Sequence, residues 1–424
     1  MSRPSENWPG FTDLIPESDK YQRIQHILSS AKFEHLKRSA VDLRRRCQPQ
    51  PNMPLDVDCG INLTQFATGF NNLVLELAFS DSVYWIARIP YQIIDDKTKT
   101  LLLSEIATMN IIRQRTNIPI PRIFGFEIST NPESFGYPYI LMEYLGGRQL
   151  DNVLALSVPQ PYHAKVAKQL ANVLVELQNL TFDRIGRLWA GETADQSIEI
   201  IPMEWHHTPG PLGTSFEYFY NQRQKENREI MALHPNSPDR LTACWMLKTA
   251  LAHSIIEERA RGPFPLCHLD LHYGNLLFDD EFNLVAVIDW SHAQAAPIEQ
   301  LSVTPEVNVF TSLSEEENRP IVEFKELVVG FMKEMENRHG KYGAKKEERS
   351  ILDLGQQQGS MEQCLNFSRL STYMASKSAE LMYRQYMASI NGSLWDGRRI
   401  AKVIYGEHVT WEQLRQVYGC MPLP

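Results

Sequence analysis

The chain has 424 residues, 43% of them hydrophobic and 22% charged, enough apolar surface for a bilobal enzyme or for two to three globular cores. A net charge of -9 leaves no basic footprint for nucleic acid, and six scattered cysteines with no CxxC spacing exclude zinc-ribbon and disulfide-scaffold classes. The opening MSRPSENWPGFTDLIPESDK has no basic stretch followed by an apolar one, and no run of about 18 apolar residues occurs, so no membrane span and a cytoplasmic location are expected.

From Lys20 to Cys47, apolar residues at helical spacing (Ile24, Ile27, Leu28, then Phe33, Leu36, Val41) predict one or two amphipathic helices that pack on the domain behind them. Three prolines in QPQPNMPLDVDCG break the pattern. The period then changes to two. Leu73, Leu75, Leu77 and Phe79, a turn at Ser80 to Ser82, and Val83, Trp85, Ala87 and Ile89 predict an antiparallel hairpin. The small-residue turn ATGFNN, with Gly69, precedes it. KTKTLLLSEIATMNIIRQRT reads as a helix, and RIFGFEIS and YPYILMEYL as strands.

Beyond Leu150 the chain reads as mainly helical: Tyr162 to Leu180, Phe216 to Leu233, Arg240 to Arg259, Arg319 to Arg338, Met361 to Ile390 and Trp411 to Val417. SLSEEENRP is expected to start the fourth of these, with Glu315 to Glu317 near its positive end. The expected fold class is therefore α+β and bilobal: a helical extension (1–54), an N-lobe with an antiparallel sheet (55–147) and a larger helical C-lobe (148–424), hinged near Gly146 and Gly147.

The chemistry concentrates in CHLDLHYGNLLFDDEFNLVAVIDW, Cys267 to Trp290. His268 and His272 suggest a zinc protease, but Leu269 stands where that chemistry needs a glutamate base, and Gly274 argues against a helix. A serine hydrolase needs a GxSxG elbow, which is absent. Phosphoryl transfer needs an Asp to take the acceptor's proton, an Asn five residues later for Mg2+, and a further Asp for Mg2+ after a hairpin. Asp270, Asn275 and Asp289 meet that need, and His268 is expected to brace the loop.

The upstream elements fall in the order this mechanism requires. Gly69 and its turn can lay backbone N–H groups over phosphates. Arg88, on the strand face opposite Trp85 and Ala87, can reach the phosphates and pair with Glu105. Backbone groups from Glu143 to Leu145 can meet an adenine edge at the lobe junction. The acceptor site is expected among Trp205, His206, His207, His292 and Gln294.

These residues resemble the aminoglycoside phosphotransferase and choline kinase superfamily, specifically its large fungal branch of phosphotransferase-enzyme-family proteins. The resemblance runs over roughly Leu55 to Pro305 and is most specific at HLDLHYGN and IDW. It implies a protein-kinase-like fold and ATP- and Mg2+-dependent transfer of the γ-phosphoryl group to a hydroxyl of a small-molecule acceptor. It implies Asp270 as base, Asn275 and Asp289 as Mg2+ ligands, Arg88 and Glu105 as the phosphate-gripping pair, and Glu143 to Leu145 as the adenine hinge. The family usually has Lys at the position of Arg88 and commonly Gly at that of Leu269. A catalytically weak nucleotide- or metabolite-binding relative, and another transfer reaction on the same scaffold, are the competing readings.

Overall fold

The computed structural model describes residues 3–47, 57–92, 95–203, 209–310, 312–350, 369–388 and 392–423, with side chains in the long helix only to residue 337. Trp205, His206 and His207, and the predicted helical stretches 361–368 and 389–390, lie outside them.

The N-terminal lobe is an antiparallel sheet with helices on both faces. Its strands are β1 (Cys59–Ile61), β2 (Ala67–Thr68), β3 (Asn72–Phe79), β4 (Tyr84–Pro90), β5 (Ile123–Glu127) and β6 (Tyr139–Glu143). They are ordered β1-β3-β4-β6-β5, with β2 also on β3. Period two sorts the side chains between the faces. Leu73, Leu75, Leu77, Trp85, Ala87 and Ile89 point to one face, where they share a core with Ile24 and Ile27 of α1 (Asp19–Ser30) and Leu36 and Ala40 of α2 (Phe33–Cys47). The extension thus belongs to the packing of this sheet. Trp85 stacks on Phe124 with centroids 3.9 Å apart. On the other face, Ile86, Ile140 and Met142 meet Leu102 and Ile106 of α3 (Asp96–Arg115).

The larger lobe is built on α5 (His163–Asn179) against α8 (Glu315–Ser350). Val166, Leu170, Leu174 and Leu177 form the stripe of one, and Ile321, Phe324, Val328 and Met332 that of the other. Ser314 caps α8: its Oγ accepts from Glu317 N at 3.3 Å while Glu317 Oε2 accepts from Ser314 N at 2.7 Å. Around this pair lie α4 (Leu154–Ser157), α6 (Ser215–Leu233), α7 (Pro238–Ser254), α9 (Leu370–Met374), α10 (Lys377–Met387), α11 (Ser393–Tyr405) and α12 (Trp411–Tyr418). Short sheets also occur: β7 (Thr181–Phe182), β10 (Phe264–Cys267) and β13 (Gln294–Ala295) make one, and β8 (Arg187–Trp189) pairs with β9 (Glu199–Ile201). Strands β11 (Leu276–Phe278) and β12 (Leu284–Val287) form the expected hairpin, its turn held by Asp279 Oδ1, which accepts from Glu281 N at 3.0 Å and Asn283 N at 2.7 Å.

Three helical expectations change. The stretch read as one helix from Met361 is, where described, two helices, because Ser376 leaves helical geometry and caps α10. The helix expected over Arg240 to Arg259 begins at Pro238 behind the Ser237 cap and ends at Ser254. Helix α11 has no counterpart in the sequence reading. Gly397 lies at its centre, and a Cβ there would stand 2.7 Å from Ala243 Cβ, so glycine is what lets α11 approach α7. Among the described residues no helix is long and apolar enough to cross a membrane.

Candidate active site

Arg88 shares its face of β4 with Ile86, toward α3, and Glu105 lies in the interior of that helix. Arg88 Nη1 donates to Glu105 Oε1 at 2.7 Å, and Nη2 to Oε2 in a second, shorter bond. Glu105 is almost fully buried and Arg88 nearly so. Burial opposes the guanidinium charge, but the Glu105 carboxylate and, more weakly, Asp289 outweigh it and hold Arg88 above its ordinary value. The pair is a fork-to-fork clamp aimed toward the lobe junction.

Strand β10 delivers the catalytic-loop candidates. His268 is buried, stacks edge-on to Trp290 with centroids 4.5 Å apart, and pairs through Nε2 with Ile288 O at 2.9 Å. Burial lowers its basicity, so it braces the loop as a neutral ring that donates from Nε2. Leu269 follows with φ 55°, and Asp270 N donates to His268 O at 2.7 Å, closing a tight γ-turn. A left-handed leucine is strained, which explains why a glycine would suit this position. The turn swings Asp270 out of the buried strand and leaves it half exposed.

Asn275 Nδ2 donates to Asp270 O at 2.8 Å and Asp270 Oδ2 at 3.2 Å. With its amino end so engaged, its carbonyl oxygen is the end available to a hard cation. His272 Nδ1 accepts from Gly274 N at 3.0 Å, which places the ring proton of neutral His272 on Nε2, 3.6 Å from Asp270 Oδ1. His272 lowers the Asp270 carboxyl below its usual range, and Asp270 raises His272 in return. Asp270 is therefore ionised and ready to accept a proton.

Asp289 leaves β12 in the left-handed region, with φ 59° and ψ 66°, and Ser291 Oγ donates to its Oδ1 at 2.8 Å. Ile288 N donates to Asn275 O at 3.0 Å, tying the two loops together. Arg88, His268 and His272 all feel the Asp289 charge, so the N-lobe clamp and both loops converge. Among the described residues no three His, Cys, Asp or Glu side chains cluster as metal ligands. The fitting donor set for a hard cation is instead one carboxylate and one amide oxygen, completed by phosphate and water oxygens.

The structure brings Asp270, Asn275, Asp289, Arg88 and Glu105 around one junction and places the other candidates at its edges. Gly69 sits in the β2–β3 turn, but its N–H donates to Asn72 O at 2.9 Å and its carbonyl accepts from Lys20 Nζ at 2.9 Å. The donors this turn offers are those of Phe70 and Asn71, which have no backbone partner among the described residues. Glu143 ends β6, paired with Trp85, and its Oε2 accepts from Arg122 N at 3.1 Å; Leu145 lies two residues on, before the glycines. Beyond them Arg148 pairs with Phe278 in both directions, docking the hinge on β11. His292 and Gln294 line a cavity beside Leu269.

Sequence reasoning missed Glu306. It is fully buried, and its carboxylate accepts from Tyr273 N at 2.8 Å and Leu154 N at 2.6 Å, bolting the loop to the start of α4. Thr304 Oγ1 holds Leu271 O at 2.7 Å beside it, and Gln149 Nε2 holds Gly274 O at 2.6 Å. The TPEV stretch carries a threonine cap and offers no signal that its glutamate reaches residues so distant in the chain.

The sequence model of the phosphotransferase enzyme family matches residues 62–300, more than half of the chain. The chain belongs to that family. A subtelomeric hrmA-associated cluster protein of Aspergillus fumigatus is 28% identical over 164 residues, covering 39% of this chain and 31% of its own length. Altered inheritance of mitochondria protein 9, mitochondrial, of Candida glabrata is 26% identical over 207 residues, covering 44% of this chain and 29% of its own. The chain thus matches under a third of the length of these curated relatives. Macrolide 2'-phosphotransferase MphH from Brachybacterium faecium superimposes with a TM-score of 0.43 at 14% identity, covering 88% of this chain and 99% of that one. The GDP complex of aminoglycoside 2'-phosphotransferase-IIIa also gives 0.43 at 14%, over 90% and 99%. The expected cytoplasmic location is corrected here: the Candida relatives are named as mitochondrial, which points away from the cytosol. The expectation rested on the lack of a secretory-type opening and of a long apolar run, and neither feature distinguishes cytosol from mitochondrion.

Proposed function

We propose that this protein is an ATP- and Mg2+-dependent phosphotransferase that moves the γ-phosphoryl group to a hydroxyl of a small molecule. The observation that carries the reading is the convergence of an ionised, half-exposed Asp270 with Asn275, Asp289 and the Arg88–Glu105 clamp. Asp270 accepts the hydroxyl proton as the acceptor oxygen bonds to the γ-phosphorus. The bond from that phosphorus to the β,γ-bridging oxygen breaks, and ADP leaves with its electron pair. Arg88, oriented by Glu105, steadies the phosphates still carried by ADP. Mg2+ would be held by the Asn275 carbonyl oxygen and Asp289, and would neutralise phosphate charge. Leu145 and the carbonyl of Glu143 serve the adenine edge.

Arginine in place of lysine supports an active enzyme, because the guanidinium makes both bonds of the clamp. Thermal shift gives the test. Mg-ATP at 100 times its Kd stabilises wild type by about 2.7 kcal/mol, and the expected result is that Asp289→Asn loses most of this. An equal shift in the variant, or none in either protein, would count against the site.

A further inference from the structure

We infer that the acceptor is an uncharged alcohol whose body is apolar and carries ether, ester or carbonyl oxygens; the inference rests on the phosphotransfer reading above. The C-lobe side of Asp270 opens into a trough. One chamber of about 430 Å³ runs from Asp270 to walls of Leu174, Leu301, Val303 and Phe310. A second, of about 380 Å³, lies beyond Leu269 and is walled by Tyr218, Phe219 and Met382. Leu269, Gln300 and Tyr386 border both chambers and the passage between them, and the same passage borders Asp270. Each chamber is of the size that holds a ligand of several rings, ~300–1,000 Å³.

Charge decides the class of occupant. Among the described lining residues the carboxylates are Asp270 and Glu226, and the guanidiniums are Arg187 and Arg223. Glu226 has both oxygens engaged, one by Arg223 at 2.6 Å and the other by Gln222 at 2.6 Å. Asp270 is reserved for the hydroxyl proton. Among the described lining residues no further carboxylate is left to hold an ammonium group, and an oligocation would meet two guanidiniums in the second chamber. An anion would gain little, because Arg223 is paired with Glu226, Arg187 already donates to Ser291 O, and Asp270 repels negative charge. The polar groups left are neutral or already balanced. Gln294 and Gln300 donate to the buried Tyr218 hydroxyl at 3.3 Å and 3.5 Å. Arg223 is buried and neutralised by Glu226, so it offers an occupant no free charge. Each glutamine amide has a second N–H, a donor suited to an uncharged oxygen. Tyr386, more than half exposed and within the field of Asp270, forms the aromatic rim over which such a body would lie.

The test separates a fungal metabolite extract by cation exchange, then partitions the unretained part into ethyl acetate. Each fraction is incubated with the full chain and Mg-ATP and searched by mass spectrometry for products about 80 Da heavier. The expected product arises from a precursor in the ethyl acetate fraction. Kanamycin and choline, as cationic alcohols, are expected not to react. A precursor eluting from the cation exchanger, or phosphorylation of kanamycin or choline, overturns the inference. So does the lack of product in every fraction from protein that Mg-ATP stabilises. Protein that Mg-ATP fails to stabilise would instead defeat the phosphotransfer reading, and the acceptor class with it. For the identified precursor, Tyr386→Ala should raise KM about tenfold and Tyr386→Phe restore it; an unchanged KM in Tyr386→Ala would remove the rim from the site.

Discussion

On the N-lobe side of Asp270, the chemistry-bearing residues stand on regular elements: Arg88 in mid-strand and Glu105 in mid-helix, joined by two hydrogen bonds and buried. On the C-lobe side, the trough is walled by residues scattered from Asn152 to Met387, drawn from loops, helices and a strained turn. The first arrangement is rigid because a strand and a helix fix both partners before any ligand arrives. The second depends on irregular backbone held by single contacts such as Glu306 to Tyr273 and Thr304 to Leu271. On the proposed function, the side that grips phosphates is the regular one, and acceptor choice falls to the irregular one.

Substitutions should separate the two sides. The largest effect is expected from Asp270→Asn, which should lower kcat by about 10²–10⁴-fold while Mg-ATP still stabilises the protein, as read by initial rates and thermal shift. Arg88→Ala should follow. It leaves Glu105 buried without its partner, and a loss of about 3–5 kcal/mol in denaturant unfolding is expected. Arg88→Lys, which keeps the charge but not the fork, should lose less.

Stability should also depend on pH through a buried carboxyl. Burial pushes Glu299 up to about 7 from 4.5, its Oε1 accepts from Ile256 N at 2.7 Å, and its Oε2 has no hydrogen-bond partner among the described residues. Between these values the folded chain binds a proton that the unfolded chain has released. The associated stability is therefore full below pH 4.5 and is lost as pH rises through about 7. Wild type should lose on the order of 3 kcal/mol more than Glu299→Gln over this range, measured by denaturant titrations at several pH values. Equal pH slopes would contradict it. The smallest effect is expected from Leu269→Gly. Relief of the left-handed strain, roughly 1–2 kcal/mol, is offset by the backbone entropy of glycine, roughly 1 kcal/mol, and by lost packing, so unfolding should change by less than about 1 kcal/mol. Acceptor KM should move while the KM for ATP does not, because Leu269 borders both chambers and not the clamp.

The same contrast explains what could be read from the sequence. The step from Asp270 to Asn275, the hairpin that delivers Asp289, and the alternation that turns Arg88 toward Glu105 are short-range patterns, and each lay open in a few neighbouring residues. Glu306 did not. Its partners, Leu154 and Tyr273, are 152 and 33 residues away, and only the folded chain joins them. The break before α10 escaped because Ser376 reads as an ordinary helix-surface residue until its cap is seen. Helix α11 escaped because Gly397 argues against a helix locally, and the close packing on Ala243 that favours it there is tertiary.

On the proposed function, this site moves a phosphoryl group to an organic hydroxyl with Asp270 as the base. The most direct measurement is a single-turnover reaction of excess protein with γ-labelled ATP and the acceptor fraction, run in parallel with wild type and Asp270→Asn. Wild type is expected to place label in an organic phosphate ester, and the variant at most a trace over the same time. Equal labelling by both proteins, or label released only as inorganic phosphate, would contradict it.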